Sequence, residues 1–359
     1  MQNTPKVLFI HLGRSSFVKE DLAIMSNFCS VSEFYFHPSN SIFTLTLNFI
    51  RQFFWLIKEI SSAKACYCWF SDYHGVLPLV LSKLFNTPFI VVLGGFDCNK
   101  LEKLDYGIFC SAWRAPLGRF ILRNSSYLLP VDEHLISTDE KSEHWGEAHP
   151  NGVKKNVQGF NTPWKAVPTG YNPNVWNTGP LERSKTVTTV ALVSDQRTAL
   201  IKGWDLFIET ARLKPEFQFN IVGCSLSYID QLKDTYSPPK NVHFIPPQPR
   251  EGLEGIYQKT SVYMQLSRAE GLPNVLCEAM MCGCIPIGSP VFGIPNAIGD
   301  TGHIIYQPKP EKISEAIDIA HGTAKQKREK ARAQISENFS LSLRSESLKS
   351  IFMELKIIT

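Results

Sequence analysis

Residues 267–295 read SRAEGLPNVLCEAMMCGCIPIGSPVFGIP and place Glu270 eight positions before Glu278. The two glutamates are separated by a break, which consists of Gly271, Leu272, Pro273 and Asn274. The run 275–281 that follows is small and apolar, as in a buried helix. Pro273 favours a first helical turn, because its missing N–H costs nothing there. Glu270 would then lie on the entering loop, with Glu278 about a turn and a half inside the helix.

The start of this helix would direct unpaired N–H groups into the space beside Glu270. Such a helix start is partially positive and suits a phosphate group. A carboxylate on either side of that phosphate could accept hydrogen bonds from two sets of sugar hydroxyls, as binding of a nucleotide sugar requires. The alternative is an ordinary surface helix with acidic residues near its start, which is common because of the helix dipole.

A second charged segment follows the apolar strand predicted at residues 186–193. It reads SDQRTALIKGWDLFIETA and places Arg197 and Lys202 on a loop leading into a helix at Trp204. Two cations in this position could neutralise a diphosphate and the charge of a leaving group. The alternative is a pair of solvated surface cations. Since the chain has no Asp-x-Asp motif, we expect no metal ion and no other cofactor.

The bulk composition narrows the class of protein. A length of 359 residues allows two domains, and a hydrophobic fraction of 43% is ordinary for a soluble protein. A net charge of +4 is too small to indicate nucleic-acid binding. The nine cysteines are scattered and lack zinc-site spacing, so we expect buried thiols in a reducing compartment. With no signal-peptide pattern before Val7 and no apolar run long enough to span a bilayer, a cytoplasmic location is expected.

Short apolar runs alternate with helix-like segments in both halves of the chain. The strand-like runs of the first half are residues 6–10, 65–70, 88–93, 127–131 and 165–168. Those of the second half are residues 186–193, 218–222, 242–245, 262–266 and 285–287. This alternation predicts two parallel α/β sheets covered on both faces, joined by a Pro/Asn/Gly-rich linker at residues 171–180.

The spacing of Glu270 and Glu278, followed by Ala-Met-x-Cys-Gly and Gly-Ile-Pro, resembles the signature of retaining GT-B glycosyltransferases of family four, the group 1 type. Arg197 and Lys202, the latter followed by a glycine, are similar to the pair of cations in that family's motif. The resemblance implies two Rossmann-like domains facing each other across a cleft. It places an acceptor-binding domain at residues 1–175 and a nucleotide-sugar donor-binding domain at residues 176–338. A final helix at residues 339–359 would cross back onto the first domain.

The resemblance also implies roles for individual residues. Arg197 and Lys202 would hold the diphosphate, Glu278 the ribose hydroxyls, and Glu270 hydroxyls of the transferred sugar. The donor pocket would be completed by the loop that contains Gly271, Leu272, Pro273 and Asn274, whose N–H groups (other than that of proline) face the donor. Gly13 would let the first domain's backbone approach the diphosphate. Transfer would retain the anomeric configuration, and the departing phosphate would help to remove the acceptor's proton.

The first half departs from the family pattern. The loop HLGRSS carries a single glycine, Gly13, where many relatives have two. In VLGGFD, Gly94 stands where the family motif often has a histidine, so that contact is missing or supplied elsewhere. Asp97 matches the motif's aspartate and is a catalytic candidate on the acceptor side. A helix N-cap role for Asp97 is the equal alternative.

Residues 42–60, IFTLTLNFIRQFFWLIKEI, predict a strongly apolar helix that carries Arg51 and Lys58. Such a helix could lie in a membrane interface. Burial against the first sheet is the favoured alternative. Residues 134–164 form a long irregular insert, predicted as an acceptor rim or a disordered surface loop.

These observations predict transfer of a sugar from a UDP- or GDP-sugar to a glycan or lipid-linked acceptor, in cell-surface polysaccharide or lipopolysaccharide biosynthesis. Peripheral association with the inner face of the cell membrane is part of this expectation, and a nucleic-acid partner is not. The alternatives are a GT-B sugar-nucleotide epimerase, a synthase for a soluble acceptor, and a non-catalytic sugar-nucleotide or glycan-binding module.

Overall fold

The computed structural model describes residues 4–180, 182–322 and 325–358. The chain divides into two compact units. The first consists of Met1–Ser137, Asn151–Gly170 and Leu341–Thr359, and the second of Thr138–Pro150 and Tyr171–Ser340. Among the described residues, no helix combines the length and the apolar composition needed to cross a bilayer.

The first unit is a five-stranded parallel sheet with helices on both faces. Its strands are β1 (Lys6–His11), β2 (Ser30–Tyr35), β3 (Ala65–Trp69), β4 (Phe89–Leu93) and β5 (Tyr127–Pro130), in the spatial order β2-β1-β3-β4-β5. Its helices are α1 (Ser16–Ser26), α2 (Ile42–Glu59), α3 (Val76–Leu84), α4 (Arg114–Asn124), the short α5 (Val153–Asn156), and the last helix of the chain, α14 (Leu341–Glu354). Every residue of β3 and β4 is buried, as expected for parallel strands covered on both faces.

The strand order distributes the helices between the two faces of this sheet. The steps from β2 to β3, β3 to β4 and β4 to β5 all run in one direction across the sheet. Because such crossovers are right-handed, α2, α3 and α4 lie on the same face. The step from β1 to β2 runs the other way, which places α1 on the opposite face, where it contacts α14.

The second unit contains a six-stranded parallel sheet. Its strands are β6 (Thr186–Val193), β7 (Gln218–Cys224), β8 (Val242–Ile245), β9 (Val262–Gln265), β10 (Ile285–Gly288) and β11 (His303–Ile304), in the order β11-β10-β9-β6-β7-β8. Its helices are α6 (Gln196–Ile201), α7 (Trp204–Leu213), α8 (Leu226–Tyr236), α9 (Arg250–Lys259), α10 (Asn274–Met281), α11 (Ile294–Ile298), α12 (Pro310–His321) and α13 (Lys325–Asn338). The loops after β6 and β9 leave the sheet at the same, carboxyl edge, where ligands of such sheets bind.

The predicted strand at residues 165–168 is wrong. This segment runs beside β5, where Lys165 N donates to Leu128 O (3.1 Å) and Val167 N to Pro130 O (2.9 Å), but it forms no strand of its own. The strand β2 was not predicted, because its residues are half-exposed and mixed in polarity rather than an apolar run.

The unit boundaries differ from the expected residues 1–175, 176–338 and 339–359. Residues 138–150, part of the irregular insert, belong to the second unit. The physical reason is Trp145, which is 4% exposed and donates from Nε1 to Ile305 O at 2.8 Å. Much of that segment forms 3-10 turns over Glu140–Ala148, interrupted by a kink at Trp145 and Gly146. The helix α14 belongs to the first unit.

Candidate functional site

The helix α10 begins one residue later than Pro273, which occupies its N-cap position. No side chain caps this helix start; instead Leu276 N and Cys277 N donate to Pro273 O at 3.2 and 3.3 Å. The side chain of Asn274 turns away from capping, since its Oδ1 accepts from the Tyr171 hydroxyl at 2.7 Å. The start of α10 therefore has no side-chain cap, as is typical of helix starts that bind an anion.

Glu270 lies on the loop before α10, as predicted, and collects three donors on one oxygen. Its Oε1 accepts from Gln265 Nε2 and Ser267 Oγ, both at 3.1 Å, and pairs with the ammonium group of Lys202. Glu270 and Lys202 keep 13% and 26% of their side-chain surface exposed. Within the described part of the chain all these contacts involve Oε1, so Oε2 is the oxygen available to a ligand hydroxyl.

The turn that carries Lys202 is fixed against the loop after β9. Arg268 N donates to Ile201 O at 2.7 Å, and the Arg268 guanidinium forms a two-pronged pair with Asp205 at 2.8 and 2.7 Å. Gly203 follows with a φ of 72°, and a Cβ there would lie 2.0 Å from Leu266 O. Glycine is required at this close approach. The contacts of Arg268 with Ile201 and Asp205 fix the turn and hold Lys202 beside Glu270.

Arg197 and Lys202 do not lie on a loop, as expected from the sequence, but on and directly after the short helix α6. Asp195 caps this helix, accepting from Thr198 N at 2.8 Å. Arg197 is exposed in the first turn, where its charge contributes to lowering the pKa of Asp195, after the dominant hydrogen bond from Thr198. Of the two predicted cations, the structure brings Lys202 to Glu270 and leaves Arg197 at the surface of α6.

Glu278 lies partly buried in the middle of α10. Burial raises its pKa from an ordinary value of 4.5 to about 7, an effect that the neighbouring Tyr257 hydroxyl partly offsets. A carboxyl group in this state accepts a proton near neutral pH and ionises readily when donors approach it.

Three arginines hold the far end of α10, and the sequence analysis did not identify them. Arg183 Nη2 donates to Cys282 O at 2.5 Å, Arg328 Nη1 donates to Gly283 O at 3.2 Å, and Arg332 donates to Met281 O. Guanidinium groups suit the unpaired carbonyls and negative dipole end of a helix. They anchor the helix that carries Glu278, but their positions, far apart in sequence, gave no local signal.

Gly13 lies in the first unit, just after β1. Its N–H donates to His11 Nδ1 at 3.1 Å, and the Nε2 atom of His11 lies 2.7 Å from Glu33 Oε1. This pattern assigns the ring proton of His11 to Nε2. A Cβ at Gly13 would meet nothing within 4 Å, so the backbone is open on that side, as its predicted phosphate contact requires.

Asp97 is 1% exposed and accepts three backbone hydrogen bonds at 3.0 Å, from the N–H groups of Ser71, Gly94 and Gly95. Burial raises its pKa and these N–H donors act in the opposite direction. Such a saturated carboxylate stabilises the turn that precedes it, which favours a structural role over contact with an acceptor. The role is not that of a helix N-cap, because Asp97 lies inside the 3-10 helix Phe96–Cys98, whose N-cap residue is Gly95. Gly94 stands where the family motif often has a histidine, and a side chain there would collide with Phe70. A Cβ at Gly94 would lie 2.3 Å from the Phe70 ring.

No cluster of three or more His, Cys, Asp or Glu side chains with metal-binding geometry occurs among residues 4–180, 182–322 and 325–358. All nine cysteines are free thiols, and eight of them are buried.

Comparison with known proteins matches residues 185–338 to the family described as "Glycosyl transferases group 1". Residues 185–338 therefore carry the sequence pattern of the group 1 glycosyltransferases. Among curated relatives, a phosphatidylinositol N-acetylglucosaminyltransferase subunit of Arabidopsis thaliana is 21% identical over 160 residues, covering 43% of this chain and 35% of that protein. D-inositol 3-phosphate glycosyltransferase of Mycobacteroides abscessus is 31% identical over 126 residues, covering 33% and 28%. The chain thus spans about a third of the length of these curated relatives.

Solved structures extend the likeness over the whole chain at the level of the fold. Sucrose-phosphate synthase of Thermosynechococcus elongatus has a TM-score of 0.72 at 16% identity, covering 98% of this chain and 99% of that one. Anabaena Alr3699/HepE, in complex with UDP and glucose, has a TM-score of 0.66 at 14% identity, covering 98% and 100%. The predicted GT-B fold with two parallel-sheet Rossmann-like units is confirmed.

Proposed function

We propose that this group 1 glycosyltransferase transfers a hexose-type sugar, with retention, from a UDP- or GDP-sugar to a glycan or lipid-linked acceptor. The observation that carries the proposal is the contact of Lys202 with Glu270 Oε1 beside the uncapped start of α10. It joins a cation, a carboxylate with one uncommitted oxygen, and backbone N–H donors at the carboxyl edge of the sheet.

In this proposal Lys202 binds the diphosphate and stabilises its leaving-group charge. Its ammonium group has three N–H donors, so it can hold a phosphate oxygen while keeping Glu270 Oε1. Arg197, in the first turn of α6 and with a long side chain, supplies a second cation in this proposal. The first-turn N–H groups of α10 and those of Gly271 and Leu272 complete the anion site.

The two glutamates orient the donor's hydroxyl groups. Glu270 Oε2 accepts from the transferred sugar, and Glu278 accepts from the ribose. During transfer the bond between the anomeric carbon and the phosphate oxygen breaks, and a bond from the acceptor oxygen to that carbon forms on the same face. The acceptor's proton passes to the departing phosphate, and the nucleoside diphosphate leaves.

The proposed class of acceptor is supported by the names of two relatives and by the surface of the first unit. One relative is named for phosphatidylinositol and another for inositol 3-phosphate, so lipid and soluble acceptors both occur among relatives by name. We favour a glycan or lipid-linked acceptor of cell-surface polysaccharide or lipopolysaccharide assembly because the first unit exposes a broad apolar helix face on α2. A cytoplasmic location stays a prediction, as does independence of metal ions.

The test is release of nucleoside diphosphate from a panel of UDP- and GDP-sugars in the presence of EDTA. Slow hydrolysis of one donor, increased by a suitable acceptor, with the anomeric configuration kept in the product, is the expected result. Conversion of the donor to its epimer would replace the proposal with the epimerase alternative. Nucleotide binding without any turnover would replace it with the binding-module alternative.

A further inference from the structure

The helix α2 is attached to the first unit by one face, on which polar and apolar side chains both make contacts. Asn48 and Gln52 are buried, donating to His37 O at 2.7 Å and His74 O at 2.9 Å, and Leu56 is the buried apolar residue one turn later. The favoured expectation, burial of the apolar face against the sheet, is therefore wrong for much of this helix. These two backbone-bound amides share the anchoring with Leu56 and with the rings of Phe49 and Trp55, which pack on Phe36 and Phe34.

The remaining circumference of α2 exposes large apolar side chains. They are Ile42, Phe43, Leu47, Ile50, Phe53, Phe54 and Ile57. Phe43 is 79% exposed and Phe54 is 67% exposed. Arg51 and Lys58, seven residues apart and both exposed, lie on the same side of the helix along one border of the apolar stripe. An apolar stripe bordered by cations is typical of a helix that lies in a bilayer interface.

The neighbouring helices extend this surface. The helix α3 contacts both α2 and α4, and all three lie on one face of the sheet. Together α3, α4 and their ends expose the apolar side chains Val80, Leu84, Phe85, Trp113 and Phe120. They also add the cations Lys83, Arg119 and Arg123, whose hydrogen bonds go to the neutral oxygens of Asn124, Asn156 and Gln158. We call the exposed side of α2, α3 and α4 the three-helix surface.

The charge on the three-helix surface has one sign. The three helices contain a single carboxylate, Glu59, and it pairs with Lys6 at 2.5 Å at the end of α2. Two copies meeting symmetrically through this surface would bring cations together with no carboxylates to pair them. Anionic lipid headgroups supply the missing negative charge, and the acyl region accepts the phenylalanine and isoleucine side chains.

We infer that the three-helix surface docks on an anionic lipid bilayer, with α2 lying in the plane of the interface. At 18 residues, α2 presents a contact about 27 Å long. Each exposed cation adds attraction to the headgroups, and each inserted aromatic ring adds apolar burial. This inference does not depend on the proposed reaction, because docking requires neither donor nor catalysis.

The experiment is flotation of the purified chain, without nucleotide, on vesicles of phosphatidylcholine alone and of equal parts phosphatidylcholine and phosphatidylglycerol. Binding to the anionic vesicles that weakens with salt is expected. The variant Phe43→Ser/Phe54→Ser should bind about tenfold or more weakly. Arg51→Gln/Lys58→Gln should lose about tenfold or more and most of the salt dependence. Both pairs are exposed, so folding is preserved and is checked by circular dichroism.

The matched control is Leu226→Ser, which removes an apolar side chain, 71% exposed, from the second unit. It should leave vesicle binding unchanged. Failure of the unaltered chain to float with anionic vesicles would overturn the inference. So would equal binding by Phe43→Ser/Phe54→Ser, or a dimer in gel filtration that this double variant dissociates, since a second copy would then cover the surface. Sugar-nucleotide turnover, measured separately, is expected to be the same for all these variants without vesicles.

Discussion

Lys202 and Glu270 lie 68 residues apart in the chain and meet at the carboxyl edge of the second sheet as a direct ion pair. The contact joins the turn after α6 to the loop before α10. Gln265 and Ser267 donate to the same carboxylate oxygen, so Glu270 is held in one orientation before any ligand arrives. Such preorganisation is what electrostatic stabilisation of a leaving diphosphate requires.

Removing either member of this pair should abolish transfer while the protein stays folded. Lys202→Ala takes away the cation placed at the phosphates, and Glu270→Ala takes away the acceptor for the sugar hydroxyl. Loss of a single preorganised donor costs about 100-fold to 1,000-fold in rate, and we expect at least this for each variant. Initial rates of nucleoside diphosphate release measure it, with Lys233→Ala, an exposed lysine of the same unit, as control. Near-normal turnover in either variant would remove that residue from the site.

Arg268 is expected to act as a positioning residue for Lys202. Arg268→Ala would free the turn from its two bonds to Asp205, so that Lys202 samples other positions. Donor binding should weaken, by about tenfold, and Arg268→Lys should restore only part of it because an ammonium lacks the two-pronged geometry. Binding titrations with UDP provide the readout, and Arg250→Ala, which removes an exposed arginine paired with its neighbour Glu251, is the control. If Arg268→Ala lowers thermal stability alone and leaves UDP affinity intact, the role is structural.

Glu278 should make both stability and donor binding depend on pH. Its folded pKa of about 7 lies above the ordinary 4.5, so between these values the folded state holds more protons than the unfolded state. Unfolding free energy should therefore fall as pH rises from 4.5 to 7, relative to Glu278→Gln, and the difference should be constant above pH 7. Denaturant unfolding across this range measures it. A pH-independent difference would contradict the raised pKa.

Donor binding adds a second consequence for Glu278. Ribose hydroxyls favour the ionised carboxylate, so binding should lower its pKa and release protons just below pH 7. Calorimetric titration in buffers of different ionisation enthalpy counts those protons. The unaltered chain should release a fraction of a proton that Glu278→Gln does not release. Equal proton release by both would place the ribose elsewhere.

The buried pair between Arg344 and Asp21 should hold the last helix on the first unit. The Arg344 guanidinium meets both carboxylate oxygens at 2.5 and 2.7 Å, and its Nη1 also donates to Val167 O and Pro168 O. Asp21 accepts from Tyr67 and Trp69 as well. Arg344→Ala leaves a buried carboxylate without its counter-charge, and we expect a loss of about 3 to 5 kcal/mol in unfolding free energy.

The comparison variants for this pair are Glu346→Ala and Arg344→Met/Asp21→Leu. Glu346 is exposed on the same helix, so its removal should change stability by less than about 0.5 kcal/mol. The double variant replaces both charges by apolar groups and should recover part of the loss. A loss below about 1 kcal/mol in Arg344→Ala would show that other contacts of α14 dominate.

Sequence reasoning predicted the elements that carry strong local signals. The strand Thr186–Val193 and the helix Trp204–Leu213 have the predicted bounds, because apolar periodicity and a glycine before the helix define both. Lys202 and Glu270 were both assigned to one donor site, since both follow parallel strands whose ends share one edge, but their direct pairing was not predicted. Arginines 183, 328 and 332 were missed, because their partners are backbone carbonyls that no spacing reveals. Arg268 was missed because its partner Asp205 lies 63 residues earlier in the chain.

In the first unit, the periodicity of apolar residues predicts where a helix lies but not which of its faces is buried. An apolar helix pattern at residues 42–60 gave the position of α2 but not the direction of its apolar face. That direction depends on Asn48 and Gln52, whose amides reach backbone carbonyls that only the folded unit brings within range. Asp97 likewise matched a motif, yet its oxygens are occupied by N–H groups of Ser71, Gly94 and Gly95, which depend on the tertiary turn.

In the proposed function the turn that carries Lys202 and the start of α10 form one diphosphate site. Calorimetric titration of UDP into the chain in EDTA, compared with Lys202→Ala and the control Lys233→Ala, tests it most directly. The account predicts one UDP bound per chain, unchanged in Lys233→Ala and weakened about tenfold or more in Lys202→Ala, as expected for loss of a charge-assisted phosphate contact. Binding of UDP, and of GDP in a parallel titration, with equal affinity to Lys202→Ala and the unaltered chain would contradict it.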